Sequence, residues 1–225
     1  RRHARVFREG VAQAGRVHVA FAVKANPNLA VLRLLANEGY GADVVSGGEM
    51  ARALAAGMKA QDIVFSGVGK SREELAQGLD AGIGQFNLEL EEEGVVLAAM
   101  AAERGLVAPA VLRVNPDVDA GTHAKISTGK KENKFGISWE RARAVYAHAA
   151  TLPGIQVTGI DMHIGSQITD MEPYDTAYGL LAHGLIFGAL FALLPLGPLR
   201  HRAALGATAL ALVAGIAPYF WRLWG

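Results

Sequence analysis

The stretch "HVAFAVKANPN", His18–Asn28, decides the fold because an apolar strand pattern ends in it on a single charge, Lys24. The bulky side chains before Lys24 point to one face of the predicted strand, and the small ones share the other face with Lys24. The bulky face would pack against helices, so Lys24 would emerge from the opposite face at the strand end. Lysine is rarely buried without a partner. The stretch alone leaves two interpretations open, a snorkelling side chain and a functional amine.

Short apolar runs recur along the first 178 residues, with amphipathic segments between them. The predicted strands are Val17–Val23, Ala42–Val45, Ile63–Phe65, Gln85–Leu88, Ala110–Val114 and Val157–Met162. The predicted helices are Leu29–Asn37, Glu49–Ala56, a helix opened by the capping box Ser71–Glu74, Leu90–Arg104 and Trp139–Ala150. Strand–helix units that repeat every ~20–25 residues predict right-handed crossovers and a parallel sheet.

Polar residues lie at or just beyond the carboxyl end of each predicted strand. They are Lys24, Asp43, Ser46, Ser66, Asn87, Arg113, Asn115 and His163. A doubly wound sheet would concentrate such residues at one switch point, and no GxGxxG follows the first strand. In a barrel all strand ends converge on one mouth. We therefore predict an α/β fold in which residues 1–178 form a partial (β/α)8 TIM-type barrel of about six βα units.

The composition narrows the classes of function. A net charge of +1 over 225 residues argues against a nucleic-acid partner, whose binding face would be clustered and basic. Zero cysteines exclude disulfides, thiolate metal sites and a cysteine nucleophile within this chain, and no metal site is predicted. The charged opening "RRHARVFREG" does not resemble a signal peptide. These features predict a cytoplasmic location.

The last 47 residues, 179–225, differ sharply because they contain no Asp, Glu or Lys. Two apolar runs, Leu180–Leu196 and Ala203–Phe220, approach the ~20 residues that span a bilayer. A pair of buried core helices is the alternative, but neither run has a polar stripe. We predict a second unit, an apolar helical hairpin at 179–225, with membrane contact through residues 180–220.

Five motifs in fixed order carry a resemblance to a known family. They are "FAVKANPN", "GADVVSGGE", "FSGVGKSREEL", "LRVNPDVDAGTHAKISTGKKENKFGI" and "GIDMHIGSQI". Together they resemble diaminopimelate decarboxylase, a lyase of the alanine-racemase-like barrel class, over about residues 17–178. The resemblance implies pyridoxal 5'-phosphate as cofactor and decarboxylation of meso-2,6-diaminopimelate to L-lysine and CO2, the last step of lysine biosynthesis. It also implies that full-length members are homodimers.

The resemblance also implies the catalytic residues. Lys24 matches the lysine that forms the Schiff base with pyridoxal phosphate, and a desolvated lysine loses its proton more easily. His163 matches the histidine that stacks on the cofactor ring, although a lone histidine at a strand end is about as often a core residue. Ser166, in "HIGS", matches a serine near the phosphate.

Three further residues are implied as cofactor-binding. Asp43 and Glu49 match acidic positions around the lysine and the cofactor, and Arg113 matches an arginine beneath the site. For Asp43 a capping or structural carboxylate is nearly as good an interpretation.

The pattern departs from the family in three ways, and one of them is that the apolar hairpin at 179–225 stands where the family's remaining parts should be. In "FNLELEEEGVVLAAM", Leu90 stands where a serine is common, and its acids predict a solvated helix start. After residue 178 the family's last strands, glycine-rich phosphate loop and C-terminal β-domain have no counterpart, so we expect this truncated chain not to turn over substrate alone. The alternatives are a non-catalytic, membrane-tethered pyridoxal-phosphate module and a racemase or cofactor carrier on the same barrel.

Overall fold

Strands and helices alternate along the chain, in the order that the sequence predicts. The computed structural model describes residues 1–13, 15–118, 136–165, 168–180 and 182. The helices are α1 Arg2–Ala12, α2 Leu29–Asn37, α3 Gly47–Ala55, α4 Arg72–Ala81, α5 Glu91–Glu103 and α6 Trp139–Ala149. The strands are β1 Ala20–Ala22, β2 Gly41–Val44, β3 Ile63–Phe65, β4 Gln85–Leu88, β5 Ala108–Asn115, β6 Ile137–Ser138 and β7 Ile155–Asp161. Residues 172–180 are also helical.

The sheet has the strand order of a barrel. Among the described residues, β1 to β5 lie side by side in sequence order, β7 pairs with β5, and every pair is parallel. The two-residue strand β6 also pairs with β5. The order never reverses, so this part of the sheet has no switch point of the doubly wound kind. The prediction of a partial (β/α)8 barrel is confirmed.

The apolar core lies between the sheet and the helices. One face of each strand supplies buried side chains to it, and the rings of Phe65 on β3 and Phe86 on β4 are 6.4 Å apart. Leu32 of α2 and Leu97 of α5 are fully buried in the same cluster. Because successive strand residues point to opposite faces, this packing leaves the other face of each strand for the barrel interior.

Local signals at the helix ends explain why the predicted boundaries hold closely. The Asn28 side chain accepts a hydrogen bond from the Ala30 amide (2.9 Å) at the start of α2. Ser71 and Glu74 form the predicted capping box of α4, with 3.2 and 3.0 Å hydrogen bonds. That helix ends at Gly82 in the left-handed conformation, which glycine adopts without steric cost.

The first strand is shorter than predicted. It covers Ala20–Ala22 and passes into a single 3-10 turn, Val23–Ala25, while Val17 is half-exposed. Helix α1 was not predicted, because its pattern is charged and it buries no residue fully. It is fixed instead by polar contacts, such as the Tyr40 hydroxyl hydrogen bond to the Ala4 carbonyl (2.7 Å).

The predicted apolar hairpin of residues 179–225 lies almost wholly outside the described residues. The helix that starts at residue 172 runs across the predicted domain boundary at Tyr178 and is described to residue 180. Within the described ranges, no helix combines the length and apolar character needed to cross a membrane.

Candidate active site

The strand register brings the predicted polar residues to one face of the sheet. Ala22 pairs with Asp43, so Asp43 lies on the same face as the small residues of β1. Asn87 of β4 pairs with Val111, which places the residue two further along, Arg113, on that face. In the β5–β7 register, Arg113 lies opposite Asp161 of β7, so Asp161 is on the same face. Since the helices cover the opposite face, this face is the barrel interior, and its polar residues lie at the carboxyl ends of the strands.

Lys24 and His163 lie at the two edges of this arc of strand ends. Lys24 is exposed in the 3-10 turn directly after β1, and none of the ion pairs formed by the described residues includes it. The surrounding protein lowers the pKa of the His163 imidazole, and the nearby cations Arg113 and Lys24 lower it further. Both effects favour the neutral form of the ring, although much of its surface is exposed.

Asp43 begins a chain of hydrogen bonds that crosses three strands. Its Oδ1 accepts from the Ser66 hydroxyl at 2.6 Å, and the Ser66 oxygen accepts from Asn87 Nδ2 at 3.1 Å. Asn87 Oδ1 accepts from Gln85 Nε2 at 2.7 Å. The network fixes the Asp43 carboxylate on the interior face. Ser66 and Asn87 therefore support Asp43 and are not only strand-end residues.

Glu49 caps the helix that follows β2. Its Oε2 accepts a hydrogen bond from the Val45 amide (2.9 Å), while its own amide donates to Ser46 Oγ (3.2 Å). The carboxylate is thus held by the turn between β2 and α3. The other predicted acid, Asp43, is held by the cross-strand network instead.

Arg113 is buried and pairs with an acid that the sequence did not single out, Glu89. Arg113 Nη1 donates to Glu89 Oε1 at 2.9 Å, and the Gly67 amide donates to the same oxygen at 3.2 Å. Gly67 has a φ of +94°, a conformation that favours glycine, and this conformation turns its amide toward Glu89. The prediction that the acids of "ELEEE" form a solvated helix start is wrong for Glu89, which is 1% exposed.

Asp161 is a second acid that sequence reasoning missed. Burial raises the pKa of its carboxyl group, Arg113 opposes that rise, and Glu89 and Asp43 add to it. The signal for Asp161 was available, because it is two residues before His163 and shares its face in an alternating strand.

Lys70 and Glu93 form a buried ion pair behind Glu89. Lys70 Nζ donates to Glu93 Oε1 (2.9 Å) and to the carbonyl oxygens of Gly67 and Asn87 (both 2.7 Å). Glu93 Oε2 accepts from the Glu89 amide at 2.9 Å. The Lys70 ammonium also lies 5.5 Å from the centre of the Phe65 ring. These partners come from two successive strand–helix units and are up to 23 residues apart, so no local pattern could have revealed them.

Ser166 lies outside the described residues, as do residues 119–135, which include most of "HAKISTGKKENKFGI". Within the ranges that the structure does describe, no group of three or more His, Asp or Glu side chains is placed to hold a metal ion.

Comparison with known proteins assigns the family. The profile of the pyridoxal-dependent decarboxylase, pyridoxal binding domain, matches residues 1–184. The chain belongs to this family. Diaminopimelate decarboxylase of Pseudomonas fluorescens is 59% identical over 157 residues, covering 69% of this chain and 38% of the relative. The Pseudomonas aeruginosa enzyme is 56% identical over 164 residues, covering 72% of this chain and 40% of the relative.

Solved structures agree with that assignment. Diaminopimelate decarboxylase from Helicobacter pylori, complexed with L-lysine, superposes with a TM-score of 0.80 at 40% identity. The match covers 85% of this chain and 48% of the solved one. The chain thus spans about two fifths of the curated relatives that it matches and about half of this solved chain. The predicted resemblance is confirmed, and the family's description names pyridoxal, the predicted cofactor.

Proposed function

We propose that this chain forms the pyridoxal-phosphate-binding part of a diaminopimelate decarboxylase, which converts meso-2,6-diaminopimelate to L-lysine and CO2. The observation that carries the proposal is the position of Lys24. Lys24 is exposed in the turn directly after β1, its charge helps to lower the pKa of the His163 imidazole, and it forms none of the ion pairs among the described residues. An amine used for covalent catalysis must be able to shed its proton, which a permanent carboxylate partner would hinder.

The donor set at the strand ends fits the cofactor. Lys24 would hold its aldehyde carbon, and His163 would lie against its ring, as the resemblance implies. Ser166 is proposed for the phosphate because the resemblance implies it. Pyridoxal phosphate, when bound, supplies the electron sink that accepts the electron pair left by departing CO2.

The protein's own part is to hold charge in fixed positions. Arg113 places a cation at the ends of the central strands, where its Nη1 donates a 2.9 Å hydrogen bond to Glu89. Asp43 is held by Ser66 at 2.6 Å, so its carboxylate keeps its place as ligands enter. Electrostatic groups that need no reorganisation are the usual source of catalytic stabilisation. Glu49 contributes by fixing the turn that follows Asp43.

Reductive trapping tests the proposal. The full chain is incubated with pyridoxal 5'-phosphate and reduced with borohydride, and the labelled peptide is identified by mass spectrometry. We expect the label on Lys24, its loss in Lys24→Ala, and its retention in Lys59→Ala, which removes another exposed lysine. Labelling that is equal in wild type and Lys24→Ala would refute the assignment.

Release of CO2 from meso-diaminopimelate then separates enzyme from binding module. We expect release from a protein of the relatives' full length and loss of release in its Lys24→Ala variant. A Lys24-dependent label without release from the full-length protein would favour the non-catalytic alternative.

The remaining parts of the proposal concern assembly, location and domain division. We propose that the full-length protein is a homodimer, as the resemblance implies, which light scattering would measure. A cytoplasmic location is proposed because a cysteine-free chain suits a reducing compartment. The division into a barrel unit at 1–178 and an apolar unit at 179–225 is proposed from the change in composition, and solubility with and without residues 179–225 tests it.

A further inference from the structure

The Glu89 side chain, at the end of β4, links the ends of the strands on either side of it. It follows directly after β4, and its Oε1 accepts hydrogen bonds from Arg113 Nη1 on the next strand and from the Gly67 amide after the previous strand. The register explains this position, because Asn87 pairs with Val111 and the residue two further on therefore lies opposite Arg113. One carboxylate oxygen thus ties three neighbouring strand ends together.

The backbone of Glu89 is held just as firmly from behind. Its amide donates to Glu93 Oε2 at 2.9 Å, and Glu93 is paired with Lys70, whose side chain is 1% exposed. Lys70 also donates to the Asn87 carbonyl, two residues before Glu89. Lys70 follows two glycines and precedes a helix start, an arrangement that could suggest a phosphate site. Its ammonium is buried and already donates to three protein oxygens, so it is not available to bind a phosphate.

Stability alone does not account for this arrangement. Glu89 Oε2 is buried and has no hydrogen-bond partner among the described residues. Burial of an incompletely hydrogen-bonded charge is costly, and an apolar pair of similar volume is often as stable or more so. An unsatisfied buried acceptor in a folded protein calls for a reason. The position of Arg113, at the mouth and beside the residues proposed to bind the cofactor, supplies one.

We infer that Glu89 is a positioning residue of the site, which orients the Arg113 guanidinium and is itself held by the buried Lys70–Glu93 pair; this inference rests on the proposed function. Glu89 acts through Arg113 and needs no contact with the cofactor. Its carboxylate keeps the guanidinium in a fixed direction at the strand ends, while the Gly67 amide fixes the carboxylate.

A double-mutant cycle on cofactor affinity tests the inference without turnover. Pyridoxal 5'-phosphate is titrated into the full chain and its Glu89→Gln, Arg113→Met and double variants, followed by absorbance. If Glu89 acts through Arg113, Glu89→Gln weakens affinity roughly tenfold and the double variant binds no more weakly than Arg113→Met alone. Additive losses would overturn the inference. Glu92→Gln, an exposed acid in the same run, is the matched control and should leave affinity unchanged.

A cofactor-free measurement keeps the inference separate from the proposed function. In 15N-labelled protein without pyridoxal phosphate, we expect Glu89→Gln to shift the Gly67 amide resonance and to speed rotation of the Arg113 guanidinium, with no change in Glu92→Gln. Unchanged resonances would refute the positioning role even if the cofactor binds. If wild type fails to bind pyridoxal phosphate while these changes occur, the proposed function fails and the positioning role stands.

A second variant covers the case in which Glu89→Gln does not fold. Glu89→Asp keeps the charge but shortens the reach, so the carboxylate should lose Arg113 while the buried charge stays. We expect the same change in guanidinium rotation and the same non-additivity with Arg113→Met. Wild-type behaviour of Glu89→Asp in both measurements would show that charge alone matters and would overturn the inference.

Discussion

Helices α3 and α5 begin with the same device, yet the two strand–helix turns use it differently. In each, a glutamate at the third helical position accepts a hydrogen bond from the amide four residues earlier, Glu49 from Val45 and Glu93 from Glu89, both at 2.9 Å. The first turn has Ser46 as N-cap, whereas the second has Leu90, which provides no side-chain cap.

The difference lies in what surrounds each glutamate. Glu49 is half-buried and shares the capping work with Ser46. Glu93 is 10% exposed and is paired with Lys70, which is 1% exposed. The residue before the N-cap is Val45 in one turn and the buried acid Glu89 in the other. A glutamate at the third helical position thus caps the helix locally in α3 and belongs to a buried ion-pair network in α5. The neighbouring residues determine which role it has.

The same substitution in both turns should give very different losses of stability. Glu93→Gln leaves the buried Lys70 ammonium without its counter-charge, so we expect ~3–5 kcal/mol less free energy of unfolding. Glu49→Gln keeps an oxygen acceptor for Val45 at a half-buried site, so we expect ~0.5–1 kcal/mol. Urea denaturation measures both. Equal losses would mean that Lys70 and Glu93 do not form the pair that distinguishes α5.

Removing both partners of the buried pair should sharpen the comparison. Lys70→Met keeps the length of the side chain and removes the charge, so Lys70→Met/Glu93→Gln leaves no uncompensated ion. We expect the double variant to be more stable than the sum of the single losses predicts, by ~2 kcal/mol, as measured by urea denaturation. Lys59→Met, at an exposed position, should change stability little. Additivity of the two single losses would contradict a direct Lys70–Glu93 interaction.

Much of the fold could be predicted because its signals are local. The bounds of Ile63–Phe65 and Gln85–Leu88 agree with prediction, since alternating or continuous apolar runs end at turn residues there. The capping box at Ser71 lies within four consecutive residues. The strand order followed from the repeat length and from polar residues at every strand end. Helix α1 was not predicted because its sequence is largely charged, and the structure buries none of its residues fully.

The supporting part of the site could not be predicted, because its contacts join distant segments. Glu89 and Arg113 are 24 residues apart, and Lys70 and Glu93 are 23 apart. An acid in a run of acids is usually solvated, and only the register of β4 against β5 shows that Glu89 points inward. Asp43 was predicted from the resemblance, but its Ser66 partner depends on the pairing of β2 with β3.

Giving α5 the cap that α3 already has should stabilise the protein modestly. Leu90 is 50% exposed, so Leu90→Ser loses little apolar burial and provides a hydroxyl acceptor at the N-cap. We expect a gain of ~0.5–1 kcal/mol in the free energy of unfolding, while Ser46→Ala in α3 should lose ~1 kcal/mol. Thermal and urea unfolding measure both. A loss in Leu90→Ser would show that the half-exposed Leu90 side chain stabilises the turn more than a hydroxyl cap does.

The smallest expected effect concerns Glu74 at the start of α4, whose contribution to the free energy of unfolding should depend on pH. Hydrogen bonds from the Ser71 amide (3.0 Å) and the Gly47 amide (2.8 Å) lower the pKa of the Glu74 carboxyl group. A carboxyl with a lowered folded-state pKa stabilises the fold above its ordinary pKa of 4.5 and loses that contribution as pH falls through the folded value. The stability difference between wild type and Glu74→Gln should therefore shrink between pH 6 and pH 3 in urea denaturation. The exposed neighbour Glu73→Gln is the control, and parallel curves for wild type and Glu74→Gln would show that the capping hydrogen bonds do not favour the charged carboxylate.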